Sequence, residues 1–168
     1  MRILHLITAL NVGGAETMLA RLLAEGRRSR PDLQSSVVSL LEPGPAGARI
    51  RDAGVPLSSC RLQGLRSLPA AGARLRRLVR QASPDLVVAW MYHAHLASLL
   101  AGSRAPVIWN VRHSLHDLAH ESLPTRTILR AAALLSRVPR AIIYNSHVAA
   151  RQYEALGYAA DRTVIIPN

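Results

Sequence analysis

Apolar residues follow two alternating patterns along this 168-residue chain. Short unbroken runs, such as Ile3-Leu4-His5-Leu6-Ile7 and Leu86-Val87-Val88-Ala89, read as strands covered on both faces. The same reading predicts strands over Gln34–Leu41, Val55–Leu62, Asp85–Trp90, Pro106–Val111, Arg140–Tyr144 and Arg162–Ile166. Between them the apolar positions recur every three or four residues, as on one helix face. Ala15, Met18, Leu19, Leu22 and Leu23 form the first such stripe. Further helices are predicted over Ala46–Ala53, ended by Gly54, and over Ser67–Ala82. One opens at His93 and runs through Leu96, Leu99 and Leu100; another follows Pro124 through Ile128, Leu129 and Leu135; the last spans His147–Leu156, closed by Gly157.

Strands alternating with helices at this spacing predict an α/β fold: a doubly wound parallel sheet of about seven strands with helices on both faces. Ligands of such sheets bind beyond the carboxyl ends of the strands. Four polar loops follow predicted strands and are expected on that edge: Asn11-Val12-Gly13-Gly14-Ala15-Glu16, His93-Ala94-His95, Arg112-His113-Ser114 and Asn145-Ser146. The glycine pair Gly13-Gly14 stands at a strand-to-helix turn, where freedom to take positive φ and the uncovered amides of the first helical turn suit a phosphate. Asn145-Ser146 also has the chemistry of a helix N-cap.

Composition narrows the classes. With 21 basic and 10 acidic residues the net charge is +11, and every basic residue among the 21 is arginine. Such a chain draws anions. Aromatics make up only 4%, so the interleaving of aromatic and basic residues expected of a nucleic-acid surface is missing and no nucleic acid is expected as partner. No apolar run reaches membrane-spanning length, no signal peptide opens the chain, and Cys60 is the single cysteine; the expected place is the cytoplasm. Length and composition predict one domain over residues 1–168.

With these motifs in order, the chain resembles the N-terminal domain of a family-four retaining glycosyltransferase, a transferase with two Rossmann-like domains (the GT-B fold). The markers are Val12-Gly13-Gly14-Ala15-Glu16, His93-Ala94-His95-Leu96-Ala97, Arg112-His113-Ser114, Asn145-Ser146 and the closing Val164-Ile165-Ile166-Pro167-Asn168. The resemblance implies an acceptor-side domain whose C-terminal, donor-binding partner domain is absent from this chain, and no turnover by this half alone. It implies transfer of a sugar from a nucleotide-sugar donor to a glycan or lipid-linked acceptor in cell-surface polysaccharide or glycolipid synthesis. It further implies Gly13 and Gly14 at the donor diphosphate, and His93 as the catalytic-centre histidine contacting the transferred sugar or the acceptor. Asn11, Glu16, His95, Arg112, His113, Ser114, Asn145 and Ser146 are expected around the acceptor cleft. Retention is then expected by front-face attack, with no metal and no cofactor besides the donor.

Two stretches ask for separate readings. Leu65 and Leu68, followed by Arg76, Arg77 and Arg80 on a basic amphipathic helix, could face an anionic membrane surface, which would put the protein at the inner face of the cytoplasmic membrane; a core-packed helix with a solvated basic side explains the same pattern. His116 and His120 are spaced to share a helix face beside Asp117 and Glu121, a possible zinc arrangement, with an acceptor-binding loop as the favoured reading. Two rivals to the transferase stand. A nucleotide-dependent oxidoreductase would use Glu42 on a ribose, but Asn11–Glu16 lacks the G-x-G-x-x-G spacing. A stand-alone anion- or membrane-binding module would need no second domain.

Overall fold

In the computed structural model, residues 1–113, 115 and 122–167 are described. Seven strands form one sheet: β1 (Arg2–Ile7), β2 (Gln34–Ser39), β3 (Leu57–Ser59), β4 (Leu86–Trp90), β5 (Val107–Val111), β6 (Ala141–Tyr144) and β7 (Thr163–Ile165). Their order is β3-β2-β1-β4-β5-β6-β7 and every pairing is parallel. Among the described residues six α-helices connect them: α1 (Gly14–Ser29), α2 (Pro45–Asp52), α3 (Leu68–Ala82), α4 (Tyr92–Leu100), α5 (Leu123–Leu135) and α6 (His147–Ala155). All seven predicted strands are present, with β2 and β3 shorter than their apolar runs.

The strand order reverses between β1 and β4, where Ile7 lies opposite Trp90. Loops on either side of such a switch point diverge and leave a crevice. The two loops there are Thr8–Gly13 and the β4–α4 junction, which carry the glycine pair and His93.

Two apolar clusters cover the faces of the sheet. The larger gathers Leu75 and Val79 of α3, Ala94 of α4, Leu129 and Ala132 of α5 and Ala149 of α6 around Leu6, Val87 and Trp109. The smaller packs Leu19 and Leu23 of α1 and Ile50 of α2 against Ile7, Val37 and Trp90. The helical stripes are shifted slightly from their predicted centres. On α1 the buried residues are Ala15, Leu19, Ala20 and Leu23, while Leu22 is exposed; on α5 they are Leu129, Ala132 and Ala133, with Leu135 at the surface. Alanines share each buried face with leucines, of which Leu19 and Leu129 are fully buried.

Gly54 and Gly157 end α2 and α6 with φ of 70° and 96°, the left-handed geometry that makes glycine a helix stop. Gly44 is needed for clearance. A Cβ there would lie 2.7 Å from the Leu10 carbonyl oxygen and 2.7 Å from Asn11 Oδ1, so α2 begins pressed against the loop that follows β1. Gly44→Ala must displace backbone, and is expected to cost about 1–3 kcal/mol, read as a lower urea midpoint at unchanged slope.

Candidate functional site

The loop after β1 delivers α1 with its N-terminus facing the crevice. Gly13 is its N-cap in extended backbone (φ −160°, ψ 174°), and Gly14 is the first helical residue. Neither takes positive φ, so the expected conformational reason for the pair does not hold; clearance explains Gly13 alone. A Cβ on Gly13 would collide with the Glu16 carboxylate, which folds back over the helix start, and a Cβ on Gly14 would project into open space. Gly14 therefore leaves its part of the first turn uncovered, while the Glu16 carboxylate lies against Gly13.

Beside that bare turn is a cavity of about 280 Å³ lined by Gly14, Thr17, Met18, Arg21, Arg112 and Asn145. The sequence pattern does not mark Thr17 or Arg21 for the site, and it assigns Met18 to the apolar stripe. Their spacing from Gly14 at three, four and seven residues marks one helix flank, and that signal was available. The helix's positive end, two guanidinium groups and no carboxylate in the lining make this a pocket for an anion.

Trp90 lies beneath Arg112. Its ring is fully buried; the indole Nε1–H donates to His5 Nδ1 at 3.2 Å, and the Arg112 guanidinium lies 5.6 Å above the ring centroid. A cation over an aromatic face at this distance is attracted to it. Burial lowers the Arg112 pKa from its ordinary value, though a guanidinium stays charged. Asn145 reaches the pocket from the end of β6, and its buried Oδ1 has no hydrogen-bond partner among the described residues. Ser146 is the cap of α6, accepting from the Ala149 amide at 3.1 Å. The two residues therefore divide the roles expected of the pair.

Across the crevice, β4 turns into α4 through Met91, whose φ of 71° and ψ of 155° are unusual for a side-chain-bearing residue. Such strain, worth about 1–3 kcal/mol, persists only where the surroundings enforce it. Here the Met91 amide donates to the Asn110 carbonyl and its carbonyl accepts the His95 amide, fixing the start of α4. His93 is left exposed, with its ring against Tyr92 at 4.6 Å between centroids. Partial burial holds its pKa below the usual histidine value, so at neutral pH it is a neutral donor and acceptor.

His95 does not join it, and the expectation of a cleft role is corrected. It is 1% exposed, stacked on Trp109 at 4.9 Å, with Nε2 3.3 Å from the Asn110 carbonyl oxygen. Burial pushes its pKa down to about 3, only partly offset by the carbonyls of Asn110 and Ala89. Residues two apart on a helix point about 200° away from each other, so one of the pair had to face the core.

Asn11 and His113 are both exposed at the rim. Leu115 ties the loop after β5 to α6, its amide donating to Gln152 Oε1 at 3.0 Å. Ser114 and the His116, Asp117, His120 and Glu121 group lie outside the described residues. Glu42, the acid an oxidoreductase would need, is held by Arg61 at 3.2 Å and accepts from the Ser59 hydroxyl at 3.4 Å.

Of the residues considered for a membrane, Leu65 is 84% exposed and Leu68 half-exposed, and Arg76, Arg77 and Arg80 all reach the surface. Arg76 is engaged, however: its Nε–H donates to the Leu100 carbonyl at 3.1 Å and joins α3 to the end of α4. Among the described residues no helix is long and apolar enough to cross a membrane.

A family model described as "Glycosyl transferase 4-like domain" matches residues 13–168. No curated protein matches the chain. Among solved structures it is similar to Anabaena HepE in complex with UDP and glucose, with 25% identity and a TM-score of 0.78 over 100% of this chain and 44% of that one. It is similar in fold to the lipopolysaccharide outer core galactosyltransferase WaaB (14% identity, TM-score 0.73, covering 100% of this chain and 46% of that one). It is also similar in fold to a UDP-GlcNAc 2-epimerase from Neisseria meningitidis bound to UDP-GlcNAc (11% identity, TM-score 0.65, covering 98% and 45%). The chain thus spans less than half the length of each of these proteins.

Proposed function

The chain belongs to the glycosyl transferase 4-like domain family, and from that premise we propose that it is the acceptor-side half of an enzyme that moves a sugar from a nucleoside diphosphate to an acceptor hydroxyl. The observation that carries the reading is an anion pocket at the α1 N-terminus and an exposed His93 at the start of α4, on the segments that follow the neighbouring strands β1 and β4. Its GT-B fold is shared with structures that hold UDP and UDP-sugars. In this reading the donor's diphosphate rests against the first-turn amides near Gly13 and Gly14, with Arg112 and Arg21 balancing its charge. The acceptor oxygen forms its bond to the anomeric carbon as the bond from that carbon to the diphosphate oxygen breaks. The acceptor proton leaves with the diphosphate, and His93 orients a sugar hydroxyl at the reacting centre. A retaining outcome by front-face attack, a place at the inner face of the cytoplasmic membrane and a role in cell-surface glycan or glycolipid synthesis belong to the same proposal. So does the absence of any metal from the reaction.

The test is nucleotide binding by the natural full-length gene product, followed by calorimetry. UDP is expected to bind, and Arg112→Ala to weaken it about tenfold, the usual worth of one charge-assisted bond. Unchanged UDP affinity in that variant would remove the anion pocket from the donor site. Incubation of UDP-sugars with and without acceptor separates transfer from the epimerisation that shares the fold: acceptor-dependent UDP release supports transfer, and a changed sugar without release supports epimerisation.

A further inference from the structure

A second cavity, of about 570 Å³, runs between α3 and α4 and is larger than the anion pocket. Leu68, Gly72 and Leu75 form one wall, and Leu96, Ala97 and Leu100 the other. His93 opens the α4 wall, so the residues at positions 93, 96, 97 and 100 form one stripe along the helix. From His93 to Leu100 that stripe is about 10 Å long at 1.5 Å per residue. Cys60 lines the groove from the β3 side, and burial raises its thiol pKa to about 11, so it contributes a neutral surface.

Among the described residues, the polar side chains of the lining other than Cys60 are His93 and Arg76. His93 stands at one end; at the other, the Arg76 side chain crosses to the Leu100 carbonyl and fixes the separation of the helices. Gly72 faces the groove where a Cβ would meet nothing within 4 Å, so the space is real and the helix backbone itself forms part of the wall. Glycine costs a helix interior about 1 kcal/mol relative to alanine, and no packing contact at Gly72 explains its presence.

We propose that this groove holds the aliphatic chain of a lipid-linked acceptor whose sugar hydroxyl is presented at His93. The inference rests on the transferase reading and names its acceptor class. The occupant follows from the arrangement of polarity: one hydrogen-bonding group at the mouth, apolar walls on both sides, and continuity with the candidate reaction centre. A polar oligosaccharide would leave its hydroxyls unpaired along the leucine walls. A flat membrane surface would not enter a groove set between two helices.

The experiment uses the natural full-length gene product and a series of alkyl glucosides (methyl, hexyl and octyl β-D-glucoside, each kept below micelle formation), with affinities measured by calorimetry. Each methylene that enters the groove is expected to tighten binding about fourfold, so octyl glucoside should bind at least about 100-fold tighter than methyl glucoside. Gly72→Leu fills the groove and should abolish that gain, while UDP affinity stays unchanged and reports an intact fold. Ala73→Glu, at an exposed lining position, provides a second variant and is expected to cut the gain at least tenfold. A flat chain-length series, or a gain that survives both substitutions, would overturn the groove as the lipid site. Binding only to anionic vesicles, with no response to monomeric octyl glucoside, would also overturn it. Failure of UDP to bind the wild-type protein would instead strike the transferase reading, which keeps the two failures apart.

Discussion

Alanine in place of His93 is expected to lower acceptor-dependent UDP release by the full-length protein about 100-fold, with UDP affinity unchanged within about twofold. The size follows from what the side chain does in the proposed reaction. A group that orients the reacting hydroxyl acts where small displacements are costly, and alanine leaves that hydroxyl unguided. Separation of the two effects follows from position. The anion pocket is lined by residues of α1, Arg112 and Asn145, and His93 lies in the α3–α4 groove lining. The fold should tolerate the change because His93 is exposed, unlike its neighbours Ala94 and His95. His93→Gln, which keeps a donor and an acceptor, is expected to recover about tenfold of the loss. Release within about threefold of wild type in the alanine variant would show that His93 takes no part.

The second large effect is on stability. His5 and His95 are both buried and neutral, with pKa values lowered by burial to about 4 and about 3 from an ordinary 6.5. Unfolding exposes both rings, and the unfolded chain binds protons first. Stability is therefore complete above about pH 6.5 and is lost progressively as pH falls, until each folded-state pKa is passed. The contribution of each ring is on the order of 3–5 kcal/mol. By pH 5 the two rings together have cost about 4 kcal/mol, at about 1.4 kcal/mol per pH unit for each, which is a large share of the about 5–15 kcal/mol a domain typically has; the full loss is reached only near pH 3–4. Urea midpoints are expected to drop steeply between pH 7 and pH 5. His95→Phe keeps a ring on Trp109 and removes the titrating group, and should flatten the slope although it loses the bond to the Asn110 carbonyl. An equally steep slope in His95→Phe would assign the acid sensitivity elsewhere.

His5 also links this stability to the site. Its Nδ1 accepts from Trp90, whose ring carries Arg112. Protonation of His5 would remove that acceptor, so acid loosens the base of the anion pocket as it weakens the core.

Much of the architecture was legible in the chain. Unbroken apolar runs such as Leu86–Ala89 fit only positions covered on both faces, and their alternation with helical stripes admits few arrangements besides a parallel doubly wound sheet. That topology then places every strand-following loop on one edge, which is why Gly13, His93, Arg112 and Asn145 group together on sequence alone. Helix stops at Gly54 and Gly157 and the cap at Ser146 are local and equally readable. Tertiary structure decided what local pattern leaves open. Which of His93 and His95 faces solvent depends on how α4 is rotated against Trp109. Arg112, in the pocket lining, lies over a tryptophan from another strand. Arg76 spans two helices where its sequence pattern indicated a solvated charge, and Glu42 is occupied by Arg61 where its position suggested a ribose. The groove between α3 and α4 belongs to no segment: it exists because two helices, each with an ordinary apolar stripe, lie apart on the sheet, and the separation of elements distant in sequence is written in no local periodicity.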